Sequence, residues 1–238
     1  MRSVSDGGGE LGRRRRRRVA AAAVAWLASA ASAQEEVSFP TADGGVVHAD
    51  AYGAGERGVV LAHGGRFDKA SWAPQARALA AAGLRVVAID FRGYGESRGG
   101  ATLPESDDGL RFDVLAAVRW LRGGGAKSVA VVGGSMGGGA AAEAAIEAPG
   151  AIDRLVLLAH SAVAQPEKIG GRKLFVTCRD DLAWGGTPRL VRIREQFEAA
   201  PEPKRLVVLK CADHAQQIFA TDRGVALLAT IVEFLLAE

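Results

Sequence analysis

Several features are scarce in this sequence, and each scarcity removes a class of function. The two cysteines and four histidines form no cluster with metal-ligand spacing, so no coordinating unit is expected. Of the two G-x-G-x-x-G matches, Gly7 to Gly12 lies in the polar N-terminal stretch with no strand pattern before it, and Gly53 to Gly58 leads into an apolar strand pattern rather than a helix, so neither is a dinucleotide fingerprint. The glycine-rich loop Gly133-Gly134-Ser135-Met136-Gly137 has no lysine near its end, as a phosphate-cradling loop would. The expectation is a protein that uses no cofactor. The apolar run at residues 19–31 is too short for an ordinary transmembrane helix. After residue 33 there is no internal repeat, no low-complexity tract and no linker, so residues 34–238 are expected to form one domain.

Excess positive charge is also lacking once the N-terminus is set aside. Residues 1–12 are polar and glycine-rich, residues 13–18 are six arginines, and the apolar run ends in Ala31-Ser32-Ala33 before Glu35-Glu36. That order of charged, apolar and small residues matches a secretory signal peptide cleaved after Ala33, with the export route left open. The competing readings of the arginine run are a nucleic-acid-binding arm or a solvated tail. Residues 1–33 carry seven of the 30 basic side chains and two of the 27 acidic ones, leaving 23 against 25. The basic sequence pI near 9.1 therefore belongs to the leader. The mature domain gives no reason to expect nucleic acid or an anionic membrane as a partner.

What is present is an alternation of strands and helices. Residues 37–39 and 46–52 flank the turn signal Thr41-Ala42-Asp43-Gly44-Gly45, which predicts an antiparallel entry hairpin. Residues 58–63 and 84–91 are apolar without alternation, as strands covered on both faces should be. Helices are predicted from about Ser71, read as the N-cap, to 82, and along the stripe Leu110, Val114, Val118 and Leu121. Strands at 128–133, 155–158, 174–178 and 205–209 then interleave with helices after Ser135, at 189–199 and at 222–237. Such units imply a mainly parallel sheet with helices on both faces and ligands at the carboxyl ends of the strands.

At one such end, SVAVVGGSMGGG passes from buried strand to alanine-rich helix. Ser135 then sits on a tight strand-to-helix turn, where glycine permits close approach, and its hydroxyl projects outward. The Met136 N–H lies at the helix N-terminus, available to a developing oxyanion. Serine is a weak nucleophile and needs a histidine base and an orienting carboxylate. His48 lies in the entry hairpin, while His63 and His160 end strands. His214, on a loop after the last strand, can reach across the strand ends and is the best candidate base. Asp180 and Asp181 follow the strand ending at Cys178 and are the candidate acids, whereas Asp213 reads as a turn residue.

Three motifs make the chain resemble the α/β-hydrolase family over essentially residues 37–238. His63-Gly64-Gly65 resembles that family's oxyanion loop after the third strand. Asp90-Phe91-Arg92-Gly93-Tyr94-Gly95-Glu96-Ser97 resembles the loop after the fourth. Gly133–Gly137 is a G-x-S-x-G elbow, and serine, acid, histidine is the family's chain order. The resemblance implies an α/β-hydrolase fold and a Gly65 N–H as second oxyanion donor beside that of Met136. It makes His63 and Asp90 structural, and it selects Asp181 over Asp180, because relatives carry the acid in a G-x-x-D loop whose glycine aligns with Cys178.

The expected activity is that of a secreted or periplasmic serine hydrolase acting on a small-molecule carboxylic ester. Peptidase, thioesterase and acyltransferase chemistry stay open, as does a non-catalytic binding protein on the same scaffold. Only residues 161–172 stand where many relatives insert a cap, so no cap domain is expected and the site should be open, with Phe67, Trp72, Trp184 and Phe219 as candidate rim residues. Cys178 and Cys211 end strands that would be neighbours in this topology, and a disulfide between them would brace the acid and histidine loops. Strand-end spacing alone does not secure the required Cα separation of about 4.4–6.8 Å, so two buried thiols are expected.

Overall fold

The apolar runs without alternation become the interior of an eight-stranded sheet. The computed structural model describes residues 34–100, 103–104 and 107–238. The leader read over residues 1–33, with its cleavage site after Ala33, lies outside the described residues. The strands are β1 (Glu35–Pro40), β2 (Val46–Tyr52), β3 (Arg57–Ala62), β4 (Arg85–Ile89), β5 (Ser128–Gly134), β6 (Arg154–Leu158), β7 (Arg172–Cys178) and β8 (Lys204–Leu209). They are arranged β1-β2-β4-β3-β5-β6-β7-β8. The entry hairpin β1–β2 and the β2–β4 pair are antiparallel; every other pairing is parallel. Parallel strands must be covered on both faces. Helices α1 (Ala73–Ala81) and α5 (Gly224–Leu236) pack on one face through Leu79, Leu227 and Ile231. Helices α2 (Leu110–Gly123), α3 (Met136–Glu147) and α4 (Arg189–Ala199) cover the other through Val114, Ala141 and Ile193. Each fully buried Val, Leu or Ile side chain in these layers contributes roughly 1.5–3 kcal/mol.

Two local expectations are revised. Ser71 does not cap the first helix. Asp68 accepts the Ser71 N–H at 3.0 Å and caps a 3₁₀ turn at Lys69–Trp72, which leads into α1. An aspartate three residues upstream supplied an acceptor for that orphan donor, as N-caps do. Cys178 and Cys211 are joined in a disulfide, not present as thiols, with Cα atoms 4.9 Å apart. The β7–β8 pairing continues past the strands, with Arg179 N–H donating to Leu209 O and Asp180 N–H to Cys211 O. That extension holds the two chain segments at bridging distance, which spacing along the sequence does not reveal.

The sheet also creates the site's position. β3 pairs with β4 on one side and β5 on the other, so the winding reverses there, the place where open α/β sheets leave a crevice. Ala62 stands opposite Gly133 in the β3–β5 register, so residues 63–65 and 134–136 leave the sheet side by side. Between β6 and β7 there is one 3₁₀ turn (Pro166–Lys168), and no cap domain stands over these strand ends among the described residues. No helix among the described residues is long and apolar enough to cross a membrane.

Candidate active site

The turn between β5 and α3 can be tight because its glycines leave room for other backbone. A Cβ on Gly133 would lie 2.4 Å from Gly137 O, and one on Gly137 would lie 2.4 Å from Ala62 O and 2.6 Å from His63 O. Only glycine fits such approaches. Ser135 itself is held at φ 51°, ψ −113°. For a residue with a Cβ this conformation costs on the order of 1–3 kcal/mol, and surrounding hydrogen bonds hold it. Its N–H donates to Leu158 O at 2.8 Å, and its carbonyl accepts from Ser161 N–H at 2.9 Å and Gly139 N–H at 3.0 Å.

His214 meets this hydroxyl from the loop after β8. Its Nε2 lies 2.8 Å from Ser135 Oγ and its Nδ1 lies 2.7 Å from Asp181 Oδ2. The three predicted side chains are therefore in one hydrogen-bonded line. With Asp181 ionised, Nδ1 donates to the carboxylate and leaves Nε2 as the acceptor for the serine proton. Asp181 is 2% exposed, and its backbone carbonyl accepts the Arg189 N–H at 2.9 Å. Asp180 points the other way, pairing with Arg179 on the exposed surface at 3.1 Å, so of the two adjacent aspartates Asp181 is the one that meets His214. The disulfide three residues before each of Asp181 and His214 ties their loops together. Ala215, directly after His214, sits at φ 49°, a second strained non-glycine residue beside the line.

The loop that leaves β3, residues 63–65, is clamped on three sides. His63 Nδ1 donates to Gly64 O at 2.9 Å, while its Nε2 accepts the Phe91 N–H at 3.2 Å. Burial pushes the His63 imidazole below its ordinary pKa and keeps it neutral. Because a peptide bond is trans and planar, fixing Gly64 O toward His63 turns the Gly65 N–H to the opposite side of the same peptide. Among the described residues that N–H donates to no other group. Tyr94 Oη donates to Gly65 O at 2.8 Å. Met136 follows Ser135 as the first residue of α3, where backbone N–H groups lack helical partners. Gly65 and Met136 thus face the same groove as Ser135.

Sequence reading missed Gln216. It is buried, two residues past His214; its Oε1 accepts the Gly64 N–H at 2.6 Å and its Nε2 donates to Ser71 Oγ at 2.9 Å. Nothing in its local pattern marks it, because both partners come from distant parts of the chain. Gln216→Leu leaves a buried N–H without an acceptor, a cost of about 1–3 kcal/mol. The expected result is a lowered melting temperature and kcat reduced by up to about 10²-fold with little change in KM, checked by thermal unfolding and steady-state kinetics. Gln216→Glu, which keeps the accepting oxygen, should recover most of the loss in kcat.

The remaining candidates take structural places. His48 pairs with Glu96 at 3.3 Å on the hairpin edge. His160 is buried against Phe175, and burial lowers its pKa to about 4. Asp90 Oδ1 accepts the Lys69 N–H at 2.7 Å. Of the four aromatics expected at the rim, Phe67 and Trp184 line the groove, and Trp184 is 97% exposed. Trp72 does not; it is buried and packs edge-on against Phe219, with ring centroids 5.7 Å apart. The groove is open, with a volume of about 430 Å³, and its outer wall is a short hairpin closed by the Leu182–Pro188 bridge.

This geometry can be compared with known proteins. An esterase from Pyrococcus furiosus superposes with a TM-score of 0.71 at 17% identity, covering 86% of this chain and 91% of that one. An enol-lactonase from Burkholderia xenovorans gives a TM-score of 0.66 at 21% identity, covering 83% and 99%. A dienelactone hydrolase from Anabaena variabilis gives 0.64 at 20% identity, covering 85% and 96%. At these identities the likeness establishes the fold. The family model for the alpha/beta hydrolase fold matches residues 58–209, from β3 through β8 and so through both arms of the crevice, and this chain belongs to that family.

Proposed function

We propose that this protein is a serine hydrolase that cleaves a carboxylic ester through an acyl-enzyme intermediate. The observation that carries the reading is the Ser135 Oγ–His214 Nε2–Asp181 line, with contacts of 2.8 and 2.7 Å, mounted on the strained turn. Ser135 Oγ attacks the acyl carbon as its proton passes to His214 Nε2, and Asp181 stabilises the resulting imidazolium. The carbonyl oxygen becomes an oxyanion, received by the N–H groups of Met136 and Gly65; one such donor is typically worth on the order of 10²–10³ in kcat. Collapse of the tetrahedral intermediate breaks the ester C–O bond, and His214 returns the proton to the leaving alkoxide. Water, deprotonated by His214, then attacks the acyl-serine; the acyl C–Oγ bond breaks, His214 returns the proton to Ser135 Oγ, and the carboxylic acid leaves.

Esters are favoured over bulky lipids and folded peptides by the open groove of about 430 Å³. Export of the protein is part of the same proposal. It is supported by the charged, apolar, small-residue order of residues 1–33 and by the Cys178–Cys211 disulfide, a bond that persists in oxidising compartments. A fluorophosphonate probe tests the chemistry. The expected result is one covalent adduct on the peptide containing Ser135; folded protein that takes up no probe would overturn the reading.

A further inference from the structure

The charge around Ser135 points to a feature of the substrate. No aspartate or glutamate lines the nucleophile groove, but two arginines do, Arg66 and Arg189. Arg66 extends from the oxyanion loop, is exposed, and has no carboxylate within 4 Å among the described residues. Arg189 begins α4 on the opposite wall. Its Nε lies 3.3 Å from Asp181 Oδ1, and its terminal nitrogens donate to no group among the described residues. The groove continues past Trp184 and Arg189 into an adjoining one of about 680 Å³, where Arg192 and Glu195 are both added, so the excess of positive charge is confined to the groove beside Ser135.

This local excess of positive charge is not a consequence of the overall balance, because residues 34–238 carry 23 basic and 25 acidic side chains. Guanidinium groups present planar forks of donors that match a carboxylate. Placed on both walls beside the serine, in a groove that no carboxylate lines, they favour a ligand that brings its own negative charge. We propose that the preferred substrates are small esters that carry an ionised carboxylate in addition to the scissile bond. Arg66 and Arg189 receive it, while the exposed face of Trp184 contacts the apolar part. This rests on the hydrolase reading above.

Two matched pairs of probes test it. One pair places the charge on the acyl side: the 4-nitrophenyl ester of succinic acid monoanion against that of its methyl ester. The other places it on the leaving side: the butyrate ester of 4-hydroxybenzoate against that of methyl 4-hydroxybenzoate. In at least one pair the wild-type protein should favour the anion by about tenfold or more in kcat/KM, and added salt should shrink the ratio. Arg66→Gln and Arg189→Gln should each reduce that ratio by several-fold. Reading a ratio separates recognition from any effect of Arg189 on Asp181, because a catalytic defect slows both members of a pair alike. Equal turnover of charged and neutral members by wild type, or variants that leave the ratio unchanged, would overturn the inference and leave the hydrolase reading standing. Hydrolysis of none of the four esters would overturn both.

Discussion

Ser135→Ala is expected to lower kcat on an activated ester by on the order of 10⁶, the scale seen when a triad serine is removed. The substitution takes away one oxygen at a position whose backbone conformation is held by three hydrogen bonds that alanine also makes. The far-UV circular dichroism spectrum and unfolding temperature should therefore match the wild type. Some acceleration over water should persist, because the N–H groups of Gly65 and Met136 remain in place to polarise a bound carbonyl. Turnover within tenfold of wild type would mean that the nucleophile lies elsewhere.

The second large effect separates two adjacent carboxylates. Asp181→Asn should cost about 10⁴ in kcat, because an amide beside His214 Nδ1 can donate to it and place the ring proton on Nε2, where the serine proton must go. Asp180→Asn should leave turnover within about twofold, since Asp180 contacts only an exposed arginine. The comparison is made by steady-state kinetics on one ester with both purified variants. A large loss in Asp180→Asn with little in Asp181→Asn would mean that Asp180 is the orienting carboxylate. The pair also controls for charge, since each substitution removes one negative charge from the same stretch of chain.

Much of the architecture was legible along the chain because parallel strands buried on both faces must be apolar throughout. Runs such as residues 58–63 and 84–91 announce themselves by the lack of alternation. The elbow was legible for a related reason: its glycines answer close backbone contacts, and those contacts recur wherever a strand turns sharply into a helix. The first helix start was less legible, since Asp68 and Ser71 are both good caps and only the path of the chain decides which one is used. The expectation of two thiols failed because neighbouring strands do not by themselves fix the Cα separation at their ends; the continuation of the β7–β8 pairing past both strands does.

Local patterns in the sequence alone determined that the chain alternates strand and helix, that Ser135 stands on a strand-to-helix turn, and that His214 follows the last strand. These are properties of consecutive residues, set by periodicity, turn chemistry and backbone permissiveness. Residue pattern left Asp180 and Asp181 both open and only the family resemblance favoured Asp181; the folded loop turns Asp181 to the imidazole and Asp180 away, because a carboxylate's direction depends on one peptide's orientation in a loop pinned by its neighbours. Tertiary structure alone decided that Gln216 holds the loop after β3 and that Arg66 and Arg189 share a groove. Those side chains come from segments more than a hundred residues apart, brought together only by the order of strands in the sheet.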